Sequence, residues 1–338
     1  MRGAAMKSYS HLSFWERERI ALLRADGLCV PDIATALGRH PGTIYRELAR
    51  NANLDGSYRP VSAEARYLSR RQRERIIDAC PALAGFIRER LCEGWTPEQI
   101  SGWLATGNEK LPHVCFETIY AWIFTGVAKA DKLWKLLPGK KATRRRKRSS
   151  TRTTIADGHS IHDRPQEVET RQSAGHWECD LMICKRTRPV LVLKERKSRF
   201  TIAAKLAGKT AAETAGAIME IFQRLDPGLR KSITFDRGPE FAKHSLIAEA
   251  MHLSTWFCDA YAPWQKGAVE NFNGRLRRDL PRKANIDAVS DEELQDIMLT
   301  HNLTPRKCLG FKTPMQALLQ ELGIDVKISF SPNLALRD

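Results

Sequence analysis

The stretch from Lys140 to Arg152, KKATRRRKRSSTR, sets the first limit on how the chain folds. Its thirteen residues carry eight basic side chains and no acidic or large apolar one. Such a run has nothing to bury and its charges repel, so it predicts an extended linker. The parts on either side must then build cores of their own. Charge divides along the same line. Residues 1–152 hold 28 Lys and Arg against 15 Asp and Glu, and residues 153–338 hold 27 against 24. A basic front and a near-neutral back point to a polyanion-binding part joined to a part with another task. Charge alone suits DNA, RNA or an anionic membrane surface equally. No run of 18 or more apolar residues occurs, so no membrane span is expected. The start, MRGAAMKSYSHLSFWERER, lacks the apolar stretch of a secretory signal, and the expected location is the cytoplasm.

The eight cysteines form no C-x-x-C pair and have no histidine cluster beside them, which argues against structural zinc and a disulfide framework. Reduced and mostly buried thiols are expected instead.

Ahead of the linker the pattern is helical. Ser13 to Ala25 predicts an amphipathic helix with Phe14, Ile20, Leu22 and Leu23 as its apolar positions, ended by Gly27. A short helix follows over 31–37, with Ile33, Ala34 and Leu37 inward. Gly38 makes the turn, and a third helix runs from Pro41 to Arg50, burying Ile44 and Leu48. Two short helices about a glycine turn describe a helix-turn-helix. Its second helix presents His40, Thr43, Arg46 and Arg50 outward, with Arg39 just before it. Such groups reach base edges and phosphates in a DNA major groove. The alternative is a three-helix bundle with a solvated basic face; the small residue, the turn and the exposed arginines together favour DNA reading. Arg66 to Arg75 reads as a solvated helix or connector. Then Thr96-Pro97-Glu98-Gln99 gives a capping box with proline in the first turn, and a second helix covers Cys115 to Phe124. This second, more aromatic pair suits DNA binding and protein contact equally.

Beyond the linker the rhythm changes. Strands are expected at His176–Ile183, Val190–Lys194, Phe200–Leu206, Ser232–Asp236 and Ser254–Cys258. Helices are expected at Ala211–Leu225, Glu240–Ala250 and Val269–Leu280. Three strands followed by alternating helices and strands is a mixed α/β layout. It is the element order of ribonuclease-H-like nucleotidyltransferases, in which the first and fourth strands lie side by side. Asp180 lies in the first strand, Asp236 ends the fourth, and Glu270 opens the helix after the fifth. Three carboxylates gathered there repel unless divalent cations neutralise them, and two Mg²⁺ ions suit such hard oxygen ligands. Each acid also has a plainer reading. Glu178 shares a strand face with Asp180 and rivals it as a ligand, Asp236 sits where aspartate often closes a turn, and Glu270 complements a helix N-terminus.

The segments GHWECD, SITFDRGPEF and YAPWQKGAVENFNGRLRR resemble the DDE motifs of the insertion-sequence-30 family of bacterial transposases. The resemblance extends through the front helix-turn-helix, GWTPEQISGWL, ETIYAWI and THNLTPRKCLGFKTPMQAL, and so covers most of the chain. It implies a multidomain protein with an all-α front and a ribonuclease-H-like, integrase-type core with a mixed five-stranded sheet. The expected divisions are a helix-turn-helix domain over 1–60, a second helical region over 61–139, a basic linker over 140–160 and the catalytic core with C-terminal helices over 161–325. The family implies that Asp180, Asp236 and Glu270 hold Mg²⁺, with Mn²⁺ as a substitute. The 33 residues between Asp236 and Glu270 match the family interval. Arg277, two helical turns after Glu270 on the same face, matches the family's basic residue and is expected at a DNA phosphate near the scissile bond. Trp264, Gln265 and Lys266 precede the catalytic helix in a loop expected to order on DNA, with Trp264 and Lys266 as DNA contacts.

Cys179, Val269, Thr304 and Ala121 stand where the family usually has glycine, asparagine, arginine and arginine, and none removes a metal ligand. The implied function is recognition of an element's terminal inverted repeats, then Mg²⁺-dependent strand cleavage and transfer. At least two subunits would act together on double-stranded DNA at the nucleoid. Two rivals share the same features: a nuclease that cuts without joining, and a DNA-binding repressor with an inactive core.

Overall fold

The computed structural model describes residues 10–53, 55–71, 75–137, 158–184, 188–260 and 262–330. The basic run at 140–152 lies outside them. Contacts divide the chain into two compact units, Met1–Ala79 and Cys80–Asp338.

The first unit is helical: α1 (Phe14–Ala25), α2 (Val30–Leu37), α3 (Pro41–Asn51), α4 (Pro60–Arg71) and the single turn α5 (Ile76–Ala79). Ser13 and Glu16 close a reciprocal capping box at the start of α1. Gly38 ends α2 at φ 60°, a left-handed conformation that glycine adopts without a Cβ penalty. Ile20, Ile33, Ala34 and Ile44 form the core, with Leu23, Leu37, Leu48 and Tyr58 packed on it. Two expected apolar positions of α1 turn outward, because Phe14 and Leu22 are exposed. Arg17 takes the core place instead. Its guanidinium bonds Glu47 on α3 at 2.8 Å, Glu64 on α4 at 2.5 Å and the Leu12 carbonyl at 2.8 Å, joining three segments. The arginine-rich stretch is helical as far as Arg71, with residues 68–71 exposed, yet two of its arginines are engaged. Arg66 donates to the carbonyls of Asn51 and Ala52, and Arg70 to the Asn51 side chain. They cover carbonyls that the end of α3 leaves without helical partners, at its electronegative terminus.

The second unit opens with α6 (Pro81–Cys92), α7 (Pro97–Ala105), α8 (Phe116–Ile123) and α9 (Gly126–Ala130). The Thr96–Gln99 capping box forms as expected. These helices pack on the chain's own C-terminal segment. Phe330 sits edge-on to Trp95 and Trp103, with centroids 5.2 and 5.1 Å away. Glu109 accepts from the Trp103 indole at 3.0 Å and the Phe330 amide at 2.7 Å. Gln99 donates to the Pro305 carbonyl at 2.8 Å. Gly102 lies against the Phe311 ring so closely that any Cβ would overlap it.

The sheet contains β1 (His159–Ser160), β2 (His176–Cys184), β3 (Arg188–Glu195), β4 (Thr201–Lys205), β5 (Ser232–Phe235) and β6 (Ser254–Phe257), in the order β1-β6-β5-β2-β3-β4. The helix α10 (Gln166–Thr170) precedes β2; α11 (Ala211–Gln223), α12 (His244–Met251), α13 (Gly267–Leu276), α14 (Asp291–Leu303) and α15 (Pro314–Glu321) follow the strands. Pairing is antiparallel for β2–β3 and β3–β4 and parallel elsewhere. This is the mixed integrase-type core, with six strands rather than five. The sixth, β1, adds two residues to the β6 edge, too few to show an alternating pattern.

Strand alternation sorts β2 between two layers. Trp177 and Cys179 point into a core shared with Ile218 and Phe222 of α11 and Ile247 of α12. Met182 and Cys184 point to the opposite core, built from Val269, Phe272 and Leu276 of α13 and Leu294 and Met298 of α14. Glu178 and Asp180 share the second face. Cysteine burial is less complete than expected: Cys179, Cys184 and Cys258 are buried, while Cys29, Cys92, Cys115 and Cys308 are exposed. Cys29, Cys80 and Cys115 occupy helix N-cap positions, where a small side chain beside the first turn replaces burial in a core. No helix among the described residues is long and apolar enough to cross a membrane.

Candidate active site and nucleic-acid interface

The carboxylates are brought together by register. On the parallel pair β2–β5, Glu178 stands opposite Thr234. Two residues further on, Asp180 continues β2 while Asp236 follows directly on the end of β5 at Phe235. Their side chains meet on one cation. Lys266 donates to Asp236 Oδ2 at 3.0 Å, to Asp180 Oδ1 at 3.2 Å and to the Cys179 carbonyl at 2.9 Å. The ammonium is buried, and burial alone would lower its pKa. Asp180 and Asp236 more than reverse that, raising it above the usual lysine value. Asp236 also accepts from the Gly238 amide with Oδ1, so the turn-closing role and the site role coexist in one side chain.

Glu270 behaves differently. It lies in the first turn of α13, exposed, and among the described residues it has no hydrogen-bond or ion-pair partner. Among the described residues no three His, Cys, Asp or Glu side chains form a group of metal-binding geometry. The structure therefore gathers two of the three expected acids and leaves the third open to solvent. The donors nonetheless suit a hard dication. The aspartate pair already holds a positive charge, and the oxygen donors are those Mg²⁺ and Mn²⁺ prefer. Asn273, one turn along α13 from Glu270, donates to Asp180 Oδ2 at 2.6 Å, while its own Oδ1 is buried without a partner.

The rival first ligand, Glu178, is committed elsewhere. It is 1% exposed, pairs with Arg196 at 2.5 Å, and accepts from the Val269 amide at 3.0 Å. It thus holds the first turn of α13 to the sheet, an acid at a helix N-terminus. Glu178 thus shares the place weighed for Glu270, which itself lies in the first turn of α13. Arg196 is steadied in turn by the Val168 carbonyl and Glu169, and Glu169 also pairs with Arg164. Lys194 supports α13 from below. Its amine lies 4.6 Å from the Phe272 ring centre and bonds the Arg199 carbonyl and Thr201 hydroxyl, and burial pushes its pKa well below the lysine norm. Sequence reasoning passed over Asn273, Arg196 and Lys194. Only Asn273 had a local signal, its i+3 spacing from Glu270.

Arg277 caps the C-terminal end of α13 and bonds the end of β2, donating to the Ile183 carbonyl at 2.9 Å and the Cys184 sulfur at 3.4 Å. Trp264 is 74% exposed on the turn before α13, whereas its neighbour Lys266 faces inward. Gln265 braces that turn through Asp259, whose amide and carboxylate it bonds at 2.7 Å each. Trp264 also lines a cleft of about 440 Å³ with Arg164, Arg171 and Arg196. Of the residues that depart from the family pattern, Cys179 is buried in the opposite core, where burial raises its thiol pKa far above normal. Val269 contributes its amide to Glu178.

On the first unit, α3 buries Ile44, Glu47 and Asn51, rests Leu48 against the core, and exposes Tyr45, Arg46, Ala49 and Arg50. Arg46 and Arg50 are exposed, and Thr43 is half-buried beside them. Arg46 Nε rests on the Gly42 carbonyl, leaving the other guanidinium nitrogens toward solvent. His40 caps the helix by accepting from the Gly42 amide at 3.1 Å. Arg39 is held back within the unit by Glu16 at 2.7 Å and the Ser10 hydroxyl at 2.9 Å. Tyr45, overlooked in the sequence, is 57% exposed on the same helix.

The family profile of a helix-turn-helix domain matches residues 8–51, the segment that forms α1 to α3. Similarity to known proteins runs much further. The chain is 34% identical over 325 residues to the transposase InsI for insertion sequence element IS30A of Escherichia coli, covering 92% of this chain and 84% of that protein. It is 35% identical over 326 residues to the transposase for IS1086 of Cupriavidus metallidurans, covering 93% and 96%. A putative integrase of a Spiroplasma virus is 28% identical over 326 residues, covering 93% and 100%. Among solved structures, the catalytic core domain of BIV integrase aligns with 45% of this chain and 98% of its own at 21% identity, with a TM-score of 0.36. Identity at this level over nine-tenths of the chain, carried by both the helix-turn-helix and the carboxylate-bearing core, places the protein in the insertion-sequence-30 family of transposases.

Proposed function

We propose that the protein binds the terminal inverted repeats of its element through α3 and cuts and joins DNA strands at Asp180, Asp236 and Glu270. The observation that carries this reading is the aspartate pair, Asp180 on β2 and Asp236 directly after the neighbouring parallel strand β5, converging on a single positive charge. When bound, a pair of Mg²⁺ ions, or Mn²⁺ in their place, supplies charge neutralisation and activation of the attacking and leaving oxygens. The chain's residues do the positioning. Asp180 and Asp236 present oxygens from the rigid sheet, and Glu270 presents a third carboxylate from the first turn of α13. Asn273 orients Asp180, while Glu178 and Arg196 fix the helix that carries Glu270. Arg277 and Trp264 contact DNA beside the scissile bond.

Two displacements follow at one phosphorus centre each. In the first, water attacks the phosphodiester at the element end; one P–O bond forms, one breaks, and a 3′-hydroxyl leaves. In the second, that hydroxyl attacks a target phosphodiester, again exchanging one P–O bond for another, so strand transfer needs no external energy source. Neither step uses a covalent protein–DNA bond. Two element ends require at least two subunits. On the first unit, Thr43, Arg46 and Arg50 read the repeat, with His40 and Arg39 at the start of the helix.

The test uses the full chain, Mg²⁺, labelled element-end DNA and a target plasmid. Wild type is expected to give cleaved and joined products. Asp236→Asn is expected to keep specific end binding and lose both products. Cleavage without joined product would make the protein a nuclease, and cleavage retained by Asp236→Asn would remove the carboxylate assignment.

A further inference from the structure

We propose that Lys266 is an internal competitor of the divalent cation: its ammonium holds the Asp180–Asp236 pair until an ion displaces it. The inference rests on the reading of that pair as the ion site. It concerns a residue whose type and position suggested a DNA contact, yet whose amine is turned into the protein.

The geometry is that of a cation site filled from within. An ammonium has three N–H donors, and here all three have acceptors: Asp236 Oδ2, Asp180 Oδ1 and the Cys179 carbonyl, at 3.0, 3.2 and 2.9 Å. Lys266 is only 6% exposed. The same two carboxylate oxygens would be ligands of a bound ion. Mg²⁺ draws its oxygens to about 2.0–2.1 Å, whereas these oxygens are spaced around a nitrogen about 3 Å away. An ion seated between them would also stand against a like charge at van der Waals range. The two cations therefore exclude one another, and the aspartates bind one or the other.

The chain around Lys266 permits the exchange. The residue ends the short 3-10 turn Pro263–Lys266 and leads into α13 at Gly267. Its amine reaches the aspartates on a flexible four-carbon stem, so leaving them requires rotation of that stem and no movement of the sheet. Next to it, Trp264 is already exposed. A displaced Lys266 would emerge beside Trp264 as a free cation, available to a DNA phosphate. Ion uptake and DNA contact are thereby coupled through one side chain. A doubly charged ion has the electrostatic advantage needed to displace the tethered ammonium; Na⁺ and K⁺ do not.

The experiment uses the EDTA-stripped full chain without DNA and Mn²⁺ as the probe, with affinity read by calorimetry. Lys266→Met is expected to bind Mn²⁺ at least tenfold more tightly than wild type. Lys266→Arg, which keeps a cation on the aspartates, is expected to stay within a few-fold of wild type. A second measurement needs no variant: acylation of lysines read by mass spectrometry. Lys266 is expected to be protected in EDTA and to become reactive when Mn²⁺ is added, while KCl at equal ionic strength leaves it protected. Equal or weaker Mn²⁺ affinity in Lys266→Met, or reactivity of Lys266 indifferent to Mn²⁺, overturns the proposal. The double variant Asp180→Asn/Asp236→Asn separates the two levels. If it loses Mn²⁺ binding while Lys266→Met is unchanged, the pair is the ion site and only the role of Lys266 falls. If it binds Mn²⁺ as wild type does, the ion-site reading falls, and the competition with it.

Discussion

Glu178 and Asp180 sit two residues apart on one strand face, and a single substitution at each tests the proposal that the first is structural and the second a ligand. Glu178→Gln keeps an oxygen for the Val269 amide but removes the charge opposite Arg196. Arg196 is 4% exposed, and its one remaining acidic partner among the described residues is Glu169, at 3.4 Å and half exposed. Removing one member of a buried ion pair typically costs about 3–5 kcal/mol. The retained amide bond and the residual Glu169 contact put the expected loss near the lower end, about 3 kcal/mol. In a unit of this size each ~1 kcal/mol moves the midpoint by about 2–4 °C, so thermal unfolding of the full chain in EDTA should fall by roughly 10 °C. Asp180 is 29% exposed, and its partner Lys266 keeps Asp236 when Asp180 is replaced. Asp180→Asn should therefore cost only ~1 kcal/mol, as partly solvated pairs do. Mn²⁺ binding should show the opposite order, retained in Glu178→Gln and lost in Asp180→Asn. A Glu178→Gln protein that unfolds like wild type but no longer binds Mn²⁺ would refute the assignment and exchange the roles of the two acids.

Two further expectations concern stability alone. Arg17→Met leaves the buried Glu47, among the described residues, with the Tyr58 hydroxyl alone at 3.0 Å, so the first unit should lose about 3 kcal/mol. A calorimetric transition of that unit unmoved by the substitution would show that α1, α3 and α4 hold together without it. His176, bonded to the Ser232 and Ser173 hydroxyls, is pushed by burial down to about 4. The unfolded chain therefore takes up the proton first, and stability should fall by about 1–2 kcal/mol as pH drops from 7 to 5. Urea unfolding of His176→Gln should lose that component of the pH dependence; an unchanged slope would assign it to other groups.

What the sequence disclosed depended on how local each signal was. The helix-turn-helix was legible because Gly38, Ala34 and the apolar spacing act within one turn of each other. Asp180 and Asp236 were legible through strand parity, since a residue's face follows from counting by two. Glu178 obeys the same parity, so counting could not rank it against Asp180. Its partner Arg196 is eighteen residues away, and only the folded β2–β3 region shows that the charge is taken. Lys266 failed in the other direction. A lysine in a loop reads as solvent-facing, and nothing local says that two acids lie within reach of its amine. Arg17 misled similarly, as a charged residue in a core position whose compensation comes from Glu47 and Glu64, 30 and 47 residues away.

The return of the C-terminal segment to α7 also sets an order of events during synthesis. Phe330 meets Glu109 across 221 residues, and Pro305 meets Gln99 across 206. The second unit cannot complete its aromatic cluster until Phe330 has left the ribosome. The core of the first unit lies within residues 12–58, and the α4 residues that brace it, Glu64, Arg66 and Arg70, follow directly. At about 5–20 residues per second of synthesis, the helix-turn-helix is finished well before Phe330 can join the aromatic cluster of the second unit. A nascent chain thus completes its helix-turn-helix while the segment that closes the second unit is still being made.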